Sequence, residues 1–105
     1  MKVIHDFDIK LSQLRALVAI VEQGSFGKGA LVLGVTQSAL SHAIATLEET
    51  LGIVLLFRGR QGAIPTDAGQ KVVEQARVVL QTVEKIVYVS QAERGLTAGQ
   101  VRIAA

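Results

Sequence analysis

Between Gly24 and Gly52 the chain reads GSFGKGALVLGVTQSALSHAIATLEETLG, two short helical segments with only Gly34 and Val35 between the first helix and the cap of the second. Ser25 is a suitable N-cap, because its hydroxyl oxygen accepts an otherwise orphaned backbone N–H. Phe26, Ala30 and Leu33 follow as one apolar stripe. Gly34 tolerates the positive φ of a C′ position, and Thr36 two residues later caps the next helix. That tight glycine connection between two short helices is the layout of a helix-turn-helix.

In the second helix Leu40, Ile44, Leu47 and Leu51 fall at steps of four, three and four and define a buried face. At 100° per residue, Ser38, Ser41, His42, Ala45 and Glu49 point the other way, with Gln37 at the tip. Small hydrogen-bonding side chains thus crowd the first turns and acids the last. A helix that enters the major groove by its N-terminal end needs that order, since donors and acceptors reach base edges while carboxylates stay clear. Any antiparallel helix pair in a small bundle satisfies the same apolar pattern.

From about Ile9 to Gln91 the chain resembles the N-terminal DNA-binding domain of LysR-type transcriptional regulators. The resemblance is carried by LSQLRALVAIVEQGSF, then ALVLGVTQSALSHAIATLEETLGIVLLFR, then PTDAG, in the family's order and spacing. It implies a mainly α winged helix-turn-helix, with three helices and a short β-hairpin wing, followed by a long dimerising linker helix. It also implies a C-terminal effector-binding domain in the intact protein. Four positions depart from the family pattern. Ser38 stands where Pro is usual and His42 where Arg or Lys is usual, while Gly27 and Gly29 replace the common Thr and Ala. The reading face therefore carries no permanent positive charge. The two glycines weaken the first motif helix by up to ~1 kcal/mol each relative to alanine, unless they permit close packing against a neighbour.

The remaining segments fit this frame. A first helix is expected over Leu11 to Gln23, with Leu11, Leu14, Leu17, Val18 and Val21 as its buried stripe and Gly24 as its stop. After Gly52, the β-branched run Ile53 to Phe57 suits a strand, Arg58 to Gly62 a turn, and Ala63 to Pro65 a return strand with Pro65 at an edge. In this wing Arg58 and Arg60 are candidate contacts to the DNA backbone or minor groove, as are Ser25, Lys28 and Thr36 to backbone phosphates. A solvated turn whose arginines serve only solubility is the alternative. Gln37, Ser38, Ser41 and His42 are the candidate base contacts.

Thr66 opens the longest helix, with Asp67 favourably placed in its first turn and Gly95 as its expected stop after Arg94. Val72, Ala76, Val79, Val83 and Ile86 form one apolar stripe, and Val73, Leu80 and Val87 an adjacent one. Two stripes exceed what one small core needs. One stripe can cover the domain, so the other suggests the same helix of a second subunit, and the seam is assigned to Val72, Ala76, Val79, Val83 and Ile86; a broad amphipathic helix lying wholly on its own domain is the alternative. Residues 95–105, GLTAGQVRIAA, alternate toward a strand and match where the family's hinge leads into the effector domain. The expected organisation is thus a DNA-binding domain over 1–65, a linker helix over 66–94 and a hinge over 95–105, the whole belonging to a longer bacterial protein.

Composition limits the other classes. The chain has 105 residues, half of them hydrophobic and only four aromatic, which fits one aliphatic helical core. It lacks cysteine, so neither a disulfide framework nor a thiolate metal site is possible. A net charge of +2 agrees in sign with DNA but is too small to decide anything. No apolar run approaches a membrane span, and the leader MKVIHDFDIK lacks a signal-peptide core, so a cytoplasmic protein without a membrane partner is expected. There is no set of nucleophile, base and orienting group, and Gly24 to Gly29 lacks the preceding strand of a phosphate loop. His5, Asp6 and Asp8 are the only hint of a metal-dependent enzyme, and a polar leader explains them as well.

The expectation is a non-enzymatic, sequence-specific DNA-binding domain. Its partners are double-stranded DNA at an interrupted dyad operator and a second copy through the linker helix, with a tetramer possible for the full-length protein. No cofactor is expected in this domain, and a small-molecule effector is expected for the missing one. A helical interaction module without DNA binding and a winged-helix regulator of another family are the competing readings.

Overall fold

The computed structural model describes residues 7–60 and 62–102. Three helices come first, α1 (Leu11–Gln23), α2 (Phe26–Leu33) and α3 (Gln37–Leu51). A two-stranded antiparallel hairpin, β1 (Leu56–Gly59) and β2 (Gly62–Pro65), leads into α4 (Asp67–Arg102). This is the winged helix-turn-helix with a trailing long helix that the sequence predicts.

Helix α1 is the hub. Leu17 and Ile20 are wholly buried, and Gln13, Leu14, Ala16, Val18 and Ala19 are buried as well, so far more than one stripe is covered. Leu11, expected inside, is exposed at the open end of the helix. Leu40, Ile44 and Leu47 of α3, Phe26 and Ala30 of α2, Leu55, Leu56 and Ala63 around the hairpin, and Val73 and Ala76 of α4 complete the core, with Leu33 and Leu51 half-buried at its edge. Gly34 adopts φ 70° and its N–H bonds back to α2, which reverses the chain within two residues as the motif requires. Gly29 settles why α2 tolerates a glycine. A Cβ there would lie 3.2 Å from the Ile20 Cα and 3.3 Å from its N, so the missing side chain is what lets α2 approach the α1 backbone. Gly27 has no such role, since a Cβ there would meet only Gln37 Oε1 at 3.6 Å.

The wing forms later than the apolar run predicts. Ile53 to Leu55 are not strand, because their polar groups are engaged elsewhere. Glu48 Oε2 accepts from Leu55 N at 2.8 Å and from Leu56 N at 3.3 Å. Val54 O accepts from the Thr66 hydroxyl at 2.7 Å, and Leu55 O from Thr66 N at 2.9 Å. Strand β1 therefore starts at Leu56 and includes Arg58 and Gly59, with Phe57 opposite Ile64 and Gly59 opposite Gly62. Thr66 also caps α4, accepting from Gly69 N at 2.9 Å. A Cβ on Gly69 would run into Leu55 O, so glycine is required where α4 meets the hairpin.

Helix α4 does not stop at Arg94. Gly95 is absent from the positive-φ glycines, and the helix continues to Arg102. A glycine inside a helix costs about 1 kcal/mol without breaking it, and the residues around it are compatible with helix, so the strand expected from 95 onward is not formed through Arg102. The last three residues of that segment lie outside the described residues. Along α4 the domain-facing side is Val73, Ala76 and Leu80, with Val72 packed partly against the same core. Arg77 Nε reaches Glu22 Oε2 at 3.3 Å, an exposed ion pair that contributes at most about 1 kcal/mol. Among the described residues no single helix is long and apolar enough to cross a membrane.

Candidate nucleic-acid interface

The N-terminal half of α3 is presented by its cap and its connection. Thr36 is extended, and its Oγ1 accepts from Ala39 N at 3.0 Å, so the helix begins sharply at Gln37. Leu40, Ile44 and Leu47 hold the inner face. Outward, Gln37, Ser38, His42 and Ala45 are exposed and Ser41 is half-buried. All four candidate base contacts therefore lie on the outward side of one helix, where the first exposed carboxylate is Glu49, because Glu48 is turned onto the amides of Leu55 and Leu56. Gln37 lies at the edge of that side, its Oε1 beside Gly27 of α2.

Three of the five candidate backbone contacts, Ser25, Lys28 and Arg58, lie at the first turn of α2, while Thr36 is the N-cap of α3. Ser25 Oγ accepts from Lys28 N at 3.1 Å, which leaves its hydroxyl proton free to donate outward. Lys28 is exposed beside it. The Arg58 guanidinium, carried by β1, lies over the ring of Phe26 with its carbon 4.0 Å from the centroid. That stacking holds a planar cation at the α2 N-terminus, where the helix dipole also favours an anion. The hairpin is fixed in turn by the bond from Ala63 N to Gly24 O at 3.0 Å, and a Cβ on Gly62 would collide with that same oxygen. Ser25, Lys28 and Arg58 thus converge, while Arg60 stands apart and exposed in the turn beyond β1.

Two of the five residues assigned to a dimer seam are placed elsewhere. Ala76 is only 2 % exposed and sits in the domain's own core, and Val72 packs partly against it. A helix that covers its own domain uses those positions for that purpose. Val79 and Ile86 are exposed, and Val83 is half-buried in a groove that it lines with Leu80 and with Arg15 of α1.

The structure gives weight to residues that sequence pattern alone passed over. Glu48 turns its carboxylate onto two backbone amides, and Gln13 is the one buried polar residue among those described, accepting from Lys10 N at 2.9 Å and donating to Thr46 Oγ1 at 3.0 Å. A polar residue on the inner side of an amphipathic stripe was the available signal for Gln13. Among the described residues no three His, Asp or Glu side chains cluster for a metal. His5 and Asp6 lie outside the described residues, and Asp8 is exposed.

Comparison with known proteins agrees with this geometry. Residues 11–70 match the bacterial regulatory helix-turn-helix proteins of the lysR family. The chain is 48 % identical over 96 residues to the probable HTH-type transcriptional regulator LrrA of Synechococcus elongatus, covering 91 % of this chain and 33 % of that protein. It spans about a third of the length of the curated relatives it matches. Among solved structures, the DNA complex of the CbnR DNA-binding domain superposes with a TM-score of 0.76 at 32 % identity, over 81 % of this chain and 98 % of that one. The BenM DNA-binding domain bound to benA site 1 DNA gives 0.76 at 38 % identity, over 81 % and 96 %. A helix-turn-helix with its polar face open, a hairpin wing beside it and these likenesses lead to one assignment: the chain belongs to the lysR family of bacterial regulatory helix-turn-helix proteins, and carries its DNA-binding domain.

Proposed function

We propose that this chain is the DNA-reading end of a longer, dimeric transcriptional regulator, with α3 in the major groove and the wing against the backbone and minor groove. The observation that carries the reading is the outward face of α3, where Gln37, Ser38, Ser41 and His42 stand accessible on a helix whose other side is buried. Side chains of this kind read base edges, while Ser25, Lys28, Thr36 and the arginines Arg58 and Arg60 set register on phosphates. Dimerisation is assigned to α4, because Val79 and Ile86 stand exposed on an apolar stripe that Val83 shares. Two such domains held by one helix pair require an operator with two separated half-sites.

The domain acts by binding rather than by catalysis, needs no cofactor of its own, and answers to a small effector bound by a part of the protein outside this chain. A regulator of bacterial genes works in the cytoplasm. Selection of bound sequences from a random duplex pool tests the reading. A motif with two related half-sites is expected, and recovery of unenriched sequences at low salt would instead favour an interaction module.

A further inference from the structure

The sequence leaves the reading face of α3 without a permanent cation, and the structure places two beside it, Lys10 at the N-cap of α1 and Arg15 within that helix. On α3, at 100° per residue, Gln37 and Glu48 lie to one side of the outward line through Ser38 and Ala45, and His42 and Thr46 lie to the other. The first side faces the first turn of α2 and the wing, as the contacts of Gln37 with Gly27 and of Glu48 with Leu55 and Leu56 show. The second side faces the start of α1. There Gln13 bonds at once to Lys10 N at 2.9 Å and to Thr46 Oγ1 at 3.0 Å, and that hydroxyl in turn donates to His42 O at 3.0 Å. Lys10, Ser12 and His42 consequently line one groove along α3. Arg15 of α1 lines it too, as do Asp8 and Glu49, the latter two turns beyond His42. Lys10 has no carboxylate within salt-bridge distance among the described residues.

A helix lying in the major groove has a phosphate backbone on each side, about 12 Å apart across the groove. Ser25, Lys28 and Arg58 serve one side only. They sit at the C-terminal end of α1, and Lys10 sits at its other end, about 20 Å away for a helix of 13 residues. We propose that Lys10, steadied by the Gln13 to Thr46 bond and helped by the Ser12 hydroxyl, contacts a backbone phosphate on the strand opposite the one met by Arg58. This contact rests on the reading of α3 as the groove helix. It replaces, from α1, the cation that His42 does not supply permanently, and it leaves base preference to α3.

The test compares wild type with Lys10→Gln and Lys10→Arg on a duplex recovered by selection from a random pool, across 50 to 200 mM salt. The cap of α1 uses the backbone N–H of Lys10, so these side-chain changes leave the fold intact, which thermal melting checks. Lys10→Gln is expected to flatten the slope of log affinity against log salt by about 0.9 per half-site, so on a two-half-site duplex its affinity falls about 12-fold less over that range. Lys10→Arg should restore the slope, and the selected motif should be the same for all three. Phosphate ethylation should lose one interfering position per half-site in Lys10→Gln, on the strand opposite the position lost in Arg58→Ala. An unchanged slope and an unchanged ethylation pattern in Lys10→Gln overturn the proposal while leaving the major-groove reading in place. A wild-type protein that binds no duplex overturns that reading, and the proposal with it.

Discussion

The Arg58 guanidinium stacks on the Phe26 ring at 4.0 Å, joining the wing to the first turn of α2. A flexible cation is thereby held flat beside the cap formed by Ser25, and less side-chain freedom is lost when it meets a phosphate. Arg58→Ala should weaken binding to all sequences alike and reduce the salt slope by about 0.9 per half-site. Arg58→Lys keeps the charge but not the planar stack, and should recover the slope with only part of the affinity. Fluorescence anisotropy titrations at several salt concentrations measure both.

The two unusual glycines of α2 should respond oppositely to alanine. Gly27 is exposed and an added Cβ meets only the end of a flexible side chain, so Gly27→Ala should stabilise the domain by about 0.5–1 kcal/mol. Gly29→Ala gains the same helix propensity, but its Cβ presses at 3.2 Å on the backbone of buried Ile20. Relief requires moving α2 off α1, so a net loss of about 1–3 kcal/mol is expected. Urea denaturation of the two variants decides the sign of each.

Why the helices were legible and the wing less so is visible in single residues. Ser25, Thr36, Gly24, Gly34 and Gly52 act locally, so the bounds of α1, α2 and α3 could be read from caps and periodicity alone. The start of β1 depends on Glu48 and Thr66, which claim the amides and carbonyls of residues 54–56 from up to 12 positions away. Periodicity contains no record of such bonds. The stripes of α4 were both visible, but which of them covers the domain depended on where α4 meets Leu55 through Gly69, and that contact put Ala76 rather than a partner's side chain in the core. On the face of α3 the residue types were legible and the cation across the groove was not, because Lys10 reaches it through Gln13 in the tertiary fold.

Glu48 is half-buried and accepts from two backbone N–H groups at the entry to the wing. Glu48→Ala leaves both donors without that acceptor and should cost about 1–3 kcal/mol, with the hairpin loosened. Glu48→Gln keeps an acceptor oxygen and should cost less. Amide hydrogen exchange at Leu55 and Leu56 locates the effect, which should be faster in Glu48→Ala than in Glu48→Gln.

Val79 is exposed on α4, next to Leu80, which packs on the domain's core. In a dimer joined through this helix, Val79→Glu buries an unpaired charge in an apolar seam and should yield monomers with greatly reduced affinity for a two-half-site operator. Analytical ultracentrifugation at micromolar concentration reads the outcome. A variant that remains dimeric would exclude Val79 from the centre of the seam.

The outward face of α3 is the centre of the account, and parallel selections from one random duplex pool with wild type, Gln37→Ala and Ser41→Ala test it most directly. Each variant should relax preference at one or two base pairs of every half-site, worth about 1–3 kcal/mol of discrimination, while half-site spacing and the other positions stay as in wild type. Motifs identical to wild type in both variants would contradict the placement of α3 in the major groove.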